Sequence, residues 1–364
     1  MKRPRPLIRC LASLIPLVLQ APWSHVEAQS ERQRVSGASV AIYNLAGRVR
    51  VESGSGSDVT VNVSRGGRDA GRLRVATSEI RGRNTFRVIY PTGDDIVYRG
   101  ESDTRRRSSS DVRVNDDGTW GGGDRSGWRD GDRIRVKSSG SGTEAWADLT
   151  ISVPAGKTIA VYLAVGELTA TNVDGEVLLD VSSARVTTTG SRGRLSVDAG
   201  SGGVELRDAS LSALDVDIGS GSLTLSGVTS ERCTFDTGSG GVRGTGARCG
   251  TLSVDVGSGS VRLDDVRSSD VSIDAGSGGV TLSMLNSPRA VTVDAGSGGV
   301  TLSLPSDLSA DVEIETGSGG ISTDFPVRTS RVERRSLRGT IGDGAGRIRI
   351  ETGSGSVRLL KTGT

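Results

Sequence analysis

"SVDAGSGGVEL" occupies residues 196–206; nineteen residues later stands "DVDIGSGSLTL" (215–225), and nineteen later again "TFDTGSGGVRG" (234–244). The first glycine of each Gly-Ser-Gly falls at 200, 219, 238, 257, 276, 296, 317 and 353, in steps of 19, 19, 19, 19, 20, 21 and 36. A degenerate copy, "LLDVSSARVTT" (178–188), precedes them, "VYLAVGELTA" (161–170) reads as an earlier one, and "VRVESGSGSDVTV" (49–61) is an outlying copy. A fixed period of this kind marks a repeat architecture, in which each unit buries its apolar face only against its neighbours.

Within each copy the apolar residues alternate. Leu195, Val197 and Ala199 lead into the turn, and Val204 and Leu206 leave it. The same columns read Leu214, Val216, Ile218, Leu223 and Leu225, and later Val291, Val293, Ala295, Val300 and Leu302. Period two with β-branched residues means short strands with one face buried, and no helical stripe exists. A third inward column follows at Ala209, Val228, Ala247, Val266 and Leu285. One unit leaves its strand N–H and C=O groups unpaired, so it must stack on the next. Equal spacing leaves no room for returning hairpins or helices. The expected fold is all-β: a parallel β-solenoid (β-helix) of about 19-residue coils, nine to ten of them, about 45 Å long at the strand spacing.

The Gly-Ser-Gly reads as the coil's corner, with glycine supplying positive φ. An acid precedes it in almost every copy: Asp198, Asp217, Asp236, Asp255, Asp274, Asp294, Glu315 and Glu351. An Asp two residues before a turn glycine is expected to accept that glycine's N–H. A calcium ladder is the competing reading, but calcium-binding β-rolls repeat every nine residues with the acid after the glycines. The corner role is therefore preferred, and no metal site is expected.

The sequence divides into an export signal (1–28), an N-terminal β region (29–158) with an irregular insertion at about 100–140, and the solenoid repeats with a C-terminal cap (159–364). Residues 29–158 and the closing segment are expected to cover the two ends, where open edges would invite pairing. The insertion, rich in Gly, Asp, Arg and Ser, reads as mobile, although "DVRV" and "DRIRVK" have the makings of a hairpin; Arg105–Arg107 reads as a solvated charge cluster. The motifs "VDxGSGxVxL", "YNLAGRVRVESGSG" (43–56) and "GTIGDGAGRIRIETGSGSVRL" (339–359) resemble a bacterial family of exported β-strand-repeat proteins, labelled proposed adhesins or domains of unknown function. The resemblance spans roughly 36–360, apart from the insertion. It implies an extracytoplasmic β-solenoid and brings no catalytic residues.

The signal is read from Lys2, Arg3, Arg5 and Arg9, the apolar "LASLIPLVL" (11–19) and "VEA" (26–28), with cleavage after Ala28. Cys10 follows Arg9, which argues against lipid anchoring, and the apolar run is too short to span a bilayer. Four of the 45 basic and one of the 43 acidic residues lie in that segment, so the rest carries 41 against 42. Near-neutral charge gives no reason to expect nucleic acid or an anionic membrane as partner. The one histidine, His25, also lies in the signal. Ser-His-Asp and Cys-His catalysis and His-ligated zinc are thereby excluded.

Cys233 and Cys249 remain, and an oxidising compartment favours their pairing. Cys233 shares a column with Leu214 and Leu252, and Cys249 falls near the neighbouring corner, so a bridge between successive coils is reachable. "GSGTEA" (140–145) fits G-x-G-x-x-G/A, but a strand signal follows it where a nucleotide site needs a helix, so no cofactor is expected. The outward pairs Thr224/Ser226, Thr281/Ser283 and Thr301/Ser303 suggest an ice-binding ladder, yet Glu205, Arg243, Arg262 and Arg358 interrupt it. Trp120, Trp128 and Trp146 flank the insertion; they either pack over the solenoid's open end or offer rings to a glycan or protein. The sequence is thus read as a non-enzymatic exported scaffold or binding surface of the cell envelope, adhesin-like, with a glycan or a surface protein as partner. A polysaccharide-active β-helix enzyme and an envelope sensor are the alternatives.

Overall fold

The computed structural model describes residues 30–100, 109–121 and 131–362. The export signal, Arg105–Arg107 and Trp128 lie outside them. The described residues are almost all strand and turn, with one short 3-10 turn at Ala70–Arg72 and no α-helix. No helix among them is long and apolar enough to cross a membrane.

The strands form two long walls joined by tight corners. In the first, Asp174–Val181, Arg192–Ala199, Ser210–Ile218, Thr229–Thr237, Arg248–Val256 and the later half of Val261–Ala275 follow one another, each parallel to the last. In the second, Arg185–Thr189, Val204–Arg207, Leu223–Ser226, Val242–Thr245 and the first half of Val261–Ala275 do the same. Val204 pairs with Leu223, Leu223 with Val242, and Val242 with Val261, so partners stand 19 residues apart, the step of the repeat. The result is a β-solenoid-like stack whose inward columns run vertically. Leu195, Leu214, Cys233, Leu252, Val271, Val291, Ile348 and Val312 form one buried file; Val197, Val216, Phe235, Val254, Ile273, Val293, Ile350 and Ile314 form the next.

Both corners differ from the turn expected at Gly-Ser-Gly. Gly200, Gly202, Gly219 and Gly221 have φ outside the left-handed region. Glycine is needed there for another reason, the closeness of the coil beneath. A Cβ on Gly219 would lie 2.6 Å from the Gly200 carbonyl oxygen, and one on Gly221 would lie 1.9 Å from that of Gly202. The left-handed residues stack at the opposite corner: Asn172, Gly190, Asp208, Gly227, Gly246 and Asp265, all with φ between 51° and 69°. Asn and Asp tolerate this region better than other side chains, which is why the corner is not uniformly glycine.

The acids do not make the expected turn either. The Gly219 N–H donates to the Ala199 carbonyl (2.9 Å) and the Gly238 N–H to that of Ile218 (2.9 Å), so the coil below already takes the turn donors. Leu285, placed in the inward file by its spacing, is exposed; Met284 is buried and pairs with Val266 instead. From Leu282 to Met284 the coil is one residue shorter than the stretch from Leu263 to Val266 beneath it, so the inward position comes one residue early; residues added after Met284 restore the register at Ala290.

The coil order departs from the chain order at both ends. Ser39–Gly54, whose last residues begin the outlying copy (49–61), lies beneath Lys157–Thr171 and above Trp146–Pro154 in the second wall and Arg83–Ile89 in the first. Gly346–Thr352 and Val357–Thr362 sit between the coil Ala290–Pro305 and the strands Ala310–Thr316 and Ile321–Thr323. Antiparallel strands then cover most of the edges: Arg74–Ile80 on Arg83–Ile89, Ser30–Val35 on Val59–Gly66, and Arg328–Glu333 on Ser336–Ile341. The remaining edge, Ile321–Thr323, is only three residues long. Short, charged or antiparallel edges block further growth of the stack. Part of the insertion is a second, four-stranded sheet in which Ser109–Val114 and Asp132–Lys137 pair antiparallel, so those residues are folded, not mobile.

The corner geometry has a direct test in two adjacent glycines. A Cβ on Gly202 would meet the Ala184 oxygen at 1.6 Å, whereas one on Gly203 finds nothing nearer than 3.7 Å. In denaturant melts, Gly202→Ala is expected to cost more than about 2 kcal/mol and Gly203→Ala no more than about 0.5 kcal/mol.

Candidate binding surface

The first wall's outer face carries an unbroken file of acids. Asp180, Asp198, Asp217, Asp236, Asp255, Asp274, Asp294, Glu351 and Glu315 stand in consecutive register, each paired with the next. Asp180 and Glu351 are half-buried and the others exposed. The parallel strand spacing sets like charges about 4.8 Å apart. Although its side chain reaches solvent, the carboxyl group of Asp198 is pushed up from the usual carboxylate range, first by partial burial of the carboxyl against the wall and then by the Asp217 charge beside it. Among the described residues no three acids converge as a metal site would need. The ladder is linear because the coils are.

Next to the ladder runs a ridge of exposed serines, Ser201, Ser220, Ser239, Ser258, Ser277, Ser297, Ser354 and Ser318, each between two glycines. The same stacking that forbids a Cβ at the glycines leaves only the middle residue a side chain. Along the other corner of the first wall Ser212 and Ser268 donate to backbone oxygens of the coil below, Gly193 (3.1 Å) and Gly250 (3.3 Å). The first wall's outer face and its Gly-Ser-Gly corner are thus regular in backbone spacing and in side-chain chemistry, while the second wall's outward column mixes Glu205, Thr224, Arg243 and Arg262.

The ladder's column continues as aromatic rings. Tyr162 is in register with Asp180, and Tyr43 with Tyr162. The two rings stack at 4.3 Å with an interplanar angle of 2°, and Trp120 meets Tyr162 edge-on at 6.0 Å. Burial is the first cause raising both tyrosine hydroxyls above their ordinary range. Trp120 is itself only 4% exposed, so it closes the column and offers no ring to a ligand. Trp146 belongs to a separate cluster, edge-on to Tyr98 at 5.8 Å and half-buried. Sequence reasoning found the acids but missed this head, although Tyr162 lies one repeat step before Asp180.

Cys233 and Cys249 are disulfide-bonded with Cα atoms 5.9 Å apart, joining adjacent coils. Cys233 fills the leucine file and Cys249 stands near the start of the next strand of the same wall, in register with Ser230 and Ser268. Closing a loop of this length contributes about 3 kcal/mol in the chain-entropy model.

Two concave sites bear on whether the chain could hold a substrate. One of about 40 Å³ lies between the first wall and the inserted sheet, lined by Leu45, Val88, Tyr90, Asn115 and Ile134. An open groove of about 580 Å³ runs beside the closing segment, lined by Thr292, Asp311, Glu313, Arg338, Arg347 and Arg349. Its arginines and acids largely engage one another: Arg338 pairs with Glu313 and Glu315, and Arg349 with Glu351.

Residues 104–360 match the family model described as Toastrack DUF4097. The chain belongs to the Toastrack family. The match covers the solenoid and part of the insertion, while the strands of residues 30–100, which stack on the Toastrack coils, fall before it. No curated protein matches the sequence. A crystal structure of a proposed cell adhesion protein from Clostridium sporogenes aligns over 92% of this chain and 99% of that one, at 8% identity and a TM-score of 0.22. A likeness at that level carries no argument about fold or function.

The Toastrack ladder has a pH signature. The folded-state pKa of Asp198 is raised, so the ionised form is disfavoured by folding. Its unfavourable contribution sets in as pH rises from the ordinary carboxylate range and is complete once the pH has passed the raised value. Asp198→Asn is therefore expected to raise Tm at pH 7. That gain should shrink steadily as the pH is lowered through the window and vanish below it, read by thermal melts across pH.

Proposed function

We propose that this Toastrack protein is a non-enzymatic, exported scaffold of the cell envelope, acting after cleavage near Ala28 as a rigid binding surface, adhesin-like in role. The observation that carries this reading is the exposed carboxylate file beside its serine ridge. Asp217, Asp236, Asp255 and Asp274 sit with like charges on both sides and make no ion pair among the described residues. Such a row opposes folding through repulsion and gives the core nothing in return. A solvated, regularly spaced surface explains its place on the outer wall better than any packing role.

Three further points favour a surface over an active centre. The more enclosed cavity, at about 40 Å³, has room for a water or two and no substrate. The larger groove is open, and its charged groups are largely held by one another. The sequence after the signal has no histidine to serve as general base. The partner chemistry that fits is an envelope glycan or surface protein presenting cationic groups at a regular spacing.

A glycan array and an envelope pull-down, run with residues 29–364, test this reading. The intact chain is expected to retain a defined component, and a quadruple variant with Asn at 217, 236, 255 and 274 to lose it while melting at the same temperature or higher. Retention by both forms, or by neither, contradicts the role assigned to the ladder.

A further inference from the structure

Ser336–Ile341 and Gly346–Thr352 are joined by residues 342–345, a link of the length that ordinarily closes a β-hairpin. These two strands do not pair. Ala310–Thr316 lies between them, antiparallel to the first and parallel to the second.

Charge favours the interposed order on the Glu313 side of Ser336–Ile341, while on the other side Arg331 stands opposite Arg338. In a direct hairpin, Ile341 would face Gly346 and Thr340 would face Arg347, which sets Arg338 opposite Arg349. Like charges directly opposite destabilise a strand pair. In the structure Glu313 stands opposite both arginines, Arg338 on one side and Arg349 on the other. Arg338 lies 2.5 Å from Glu313 and 3.1 Å from Glu315, and Thr340 donates to Asp311 at 2.8 Å. Arg349 is held by Glu351, with Glu313 and Glu315 adding to the field that favours its charge. Its other flank meets the uncharged Thr292.

The repeat grammar makes a second order available. Val312, Ile314, Thr316 and Ile321 carry the inward pattern of Val291, Val293, Ala295 and Val300, so Ala310–Thr316 has the side chains to stack directly on Ala290–Ala295. We propose that the end of the stack has two coil orders open to it and that the Arg338–Glu313–Arg349 alternation selects the interposed one, closing the solenoid. With the alternation broken, the coils restack in chain order and Ser336–Ile341 folds back as a hairpin on Gly346–Thr352.

Cross-links on the opposite wall distinguish the two orders without touching the triad. Arg358 is in register with Thr301 on one side and Ser322 on the other. The pair Thr301→Cys/Arg358→Cys spans neighbouring strands, within disulfide reach in the interposed order. Thr301→Cys/Ser322→Cys spans two, about 9.6 Å, beyond reach, until restacking makes those strands neighbours. Adding Arg338→Glu repels Glu313 and attracts Arg349, and is expected to shift the ratio of the two cross-links toward Thr301/Ser322 by roughly five- to thirtyfold. Inverting the whole triad (Glu313→Arg, Arg338→Glu and Arg349→Glu) is expected to restore the original ratio. An unchanged ratio with Arg338→Glu, loss of both cross-links, or no recovery in the inverted triad would overturn the proposal.

Discussion

The structure depends on how closely one coil's backbone lies on the next. At the Gly-Ser-Gly corner the carbonyl of one coil sits where a Cβ of the next would be, 1.9 Å from that position at Gly221 and 2.6 Å at Gly219. Only glycine fits. That contact lets the corner N–H groups reach the carbonyls beneath them, so hydrogen bonding runs through the turn and the walls stay in register. Everything else in the stack inherits the alignment: the leucine and valine files inside, and the acid and serine files outside.

Register also makes the surface. A side chain type repeated at one position becomes a column with the strand spacing, whatever its charge. Inside, this is favourable, because like aliphatics pack on like. Outside, it sets carboxylate against carboxylate, and the stack tolerates the repulsion where water screens it. At the ends the same rule becomes selective. Arginines and acids alternate from Arg338 through Glu313 to Arg349, and strand order follows charge order instead of chain order.

The sequence made the interior legible because burial acts residue by residue: Val216 and Val254, 38 positions apart, lie in one buried file as their spacing requires. The acid file was readable for the same reason. What sequence reasoning misplaced depends on contacts between coils. Gly-Ser-Gly suggests positive φ when a single turn is considered, but its constraint comes from the coil beneath. The acids suggest Asx turns, but their glycine partners already donate elsewhere. Leu285 moved outward because the coil is one residue short between Leu282 and Met284, which shifts an alternating pattern by a full face. The interposed coils at both ends were hidden because every coil carries nearly the same apolar pattern; at the closing end it is the charges at positions 313, 338 and 349 that set neighbours apart.

Distances between spin labels along one outward column of the second wall test the stacking most directly. Thr187, Glu205, Thr224, Arg243, Arg262, Thr281 and Thr301 occupy successive rungs. With one label at Thr187, backbone separations of about 24 Å to Thr281 and about 29 Å to Thr301 follow from one strand spacing per coil. Separations that rise rung by rung in this way support in-register parallel coils. A Thr301 label as near to Thr187 as the Thr224 label, or separations unrelated to rung number, would contradict them.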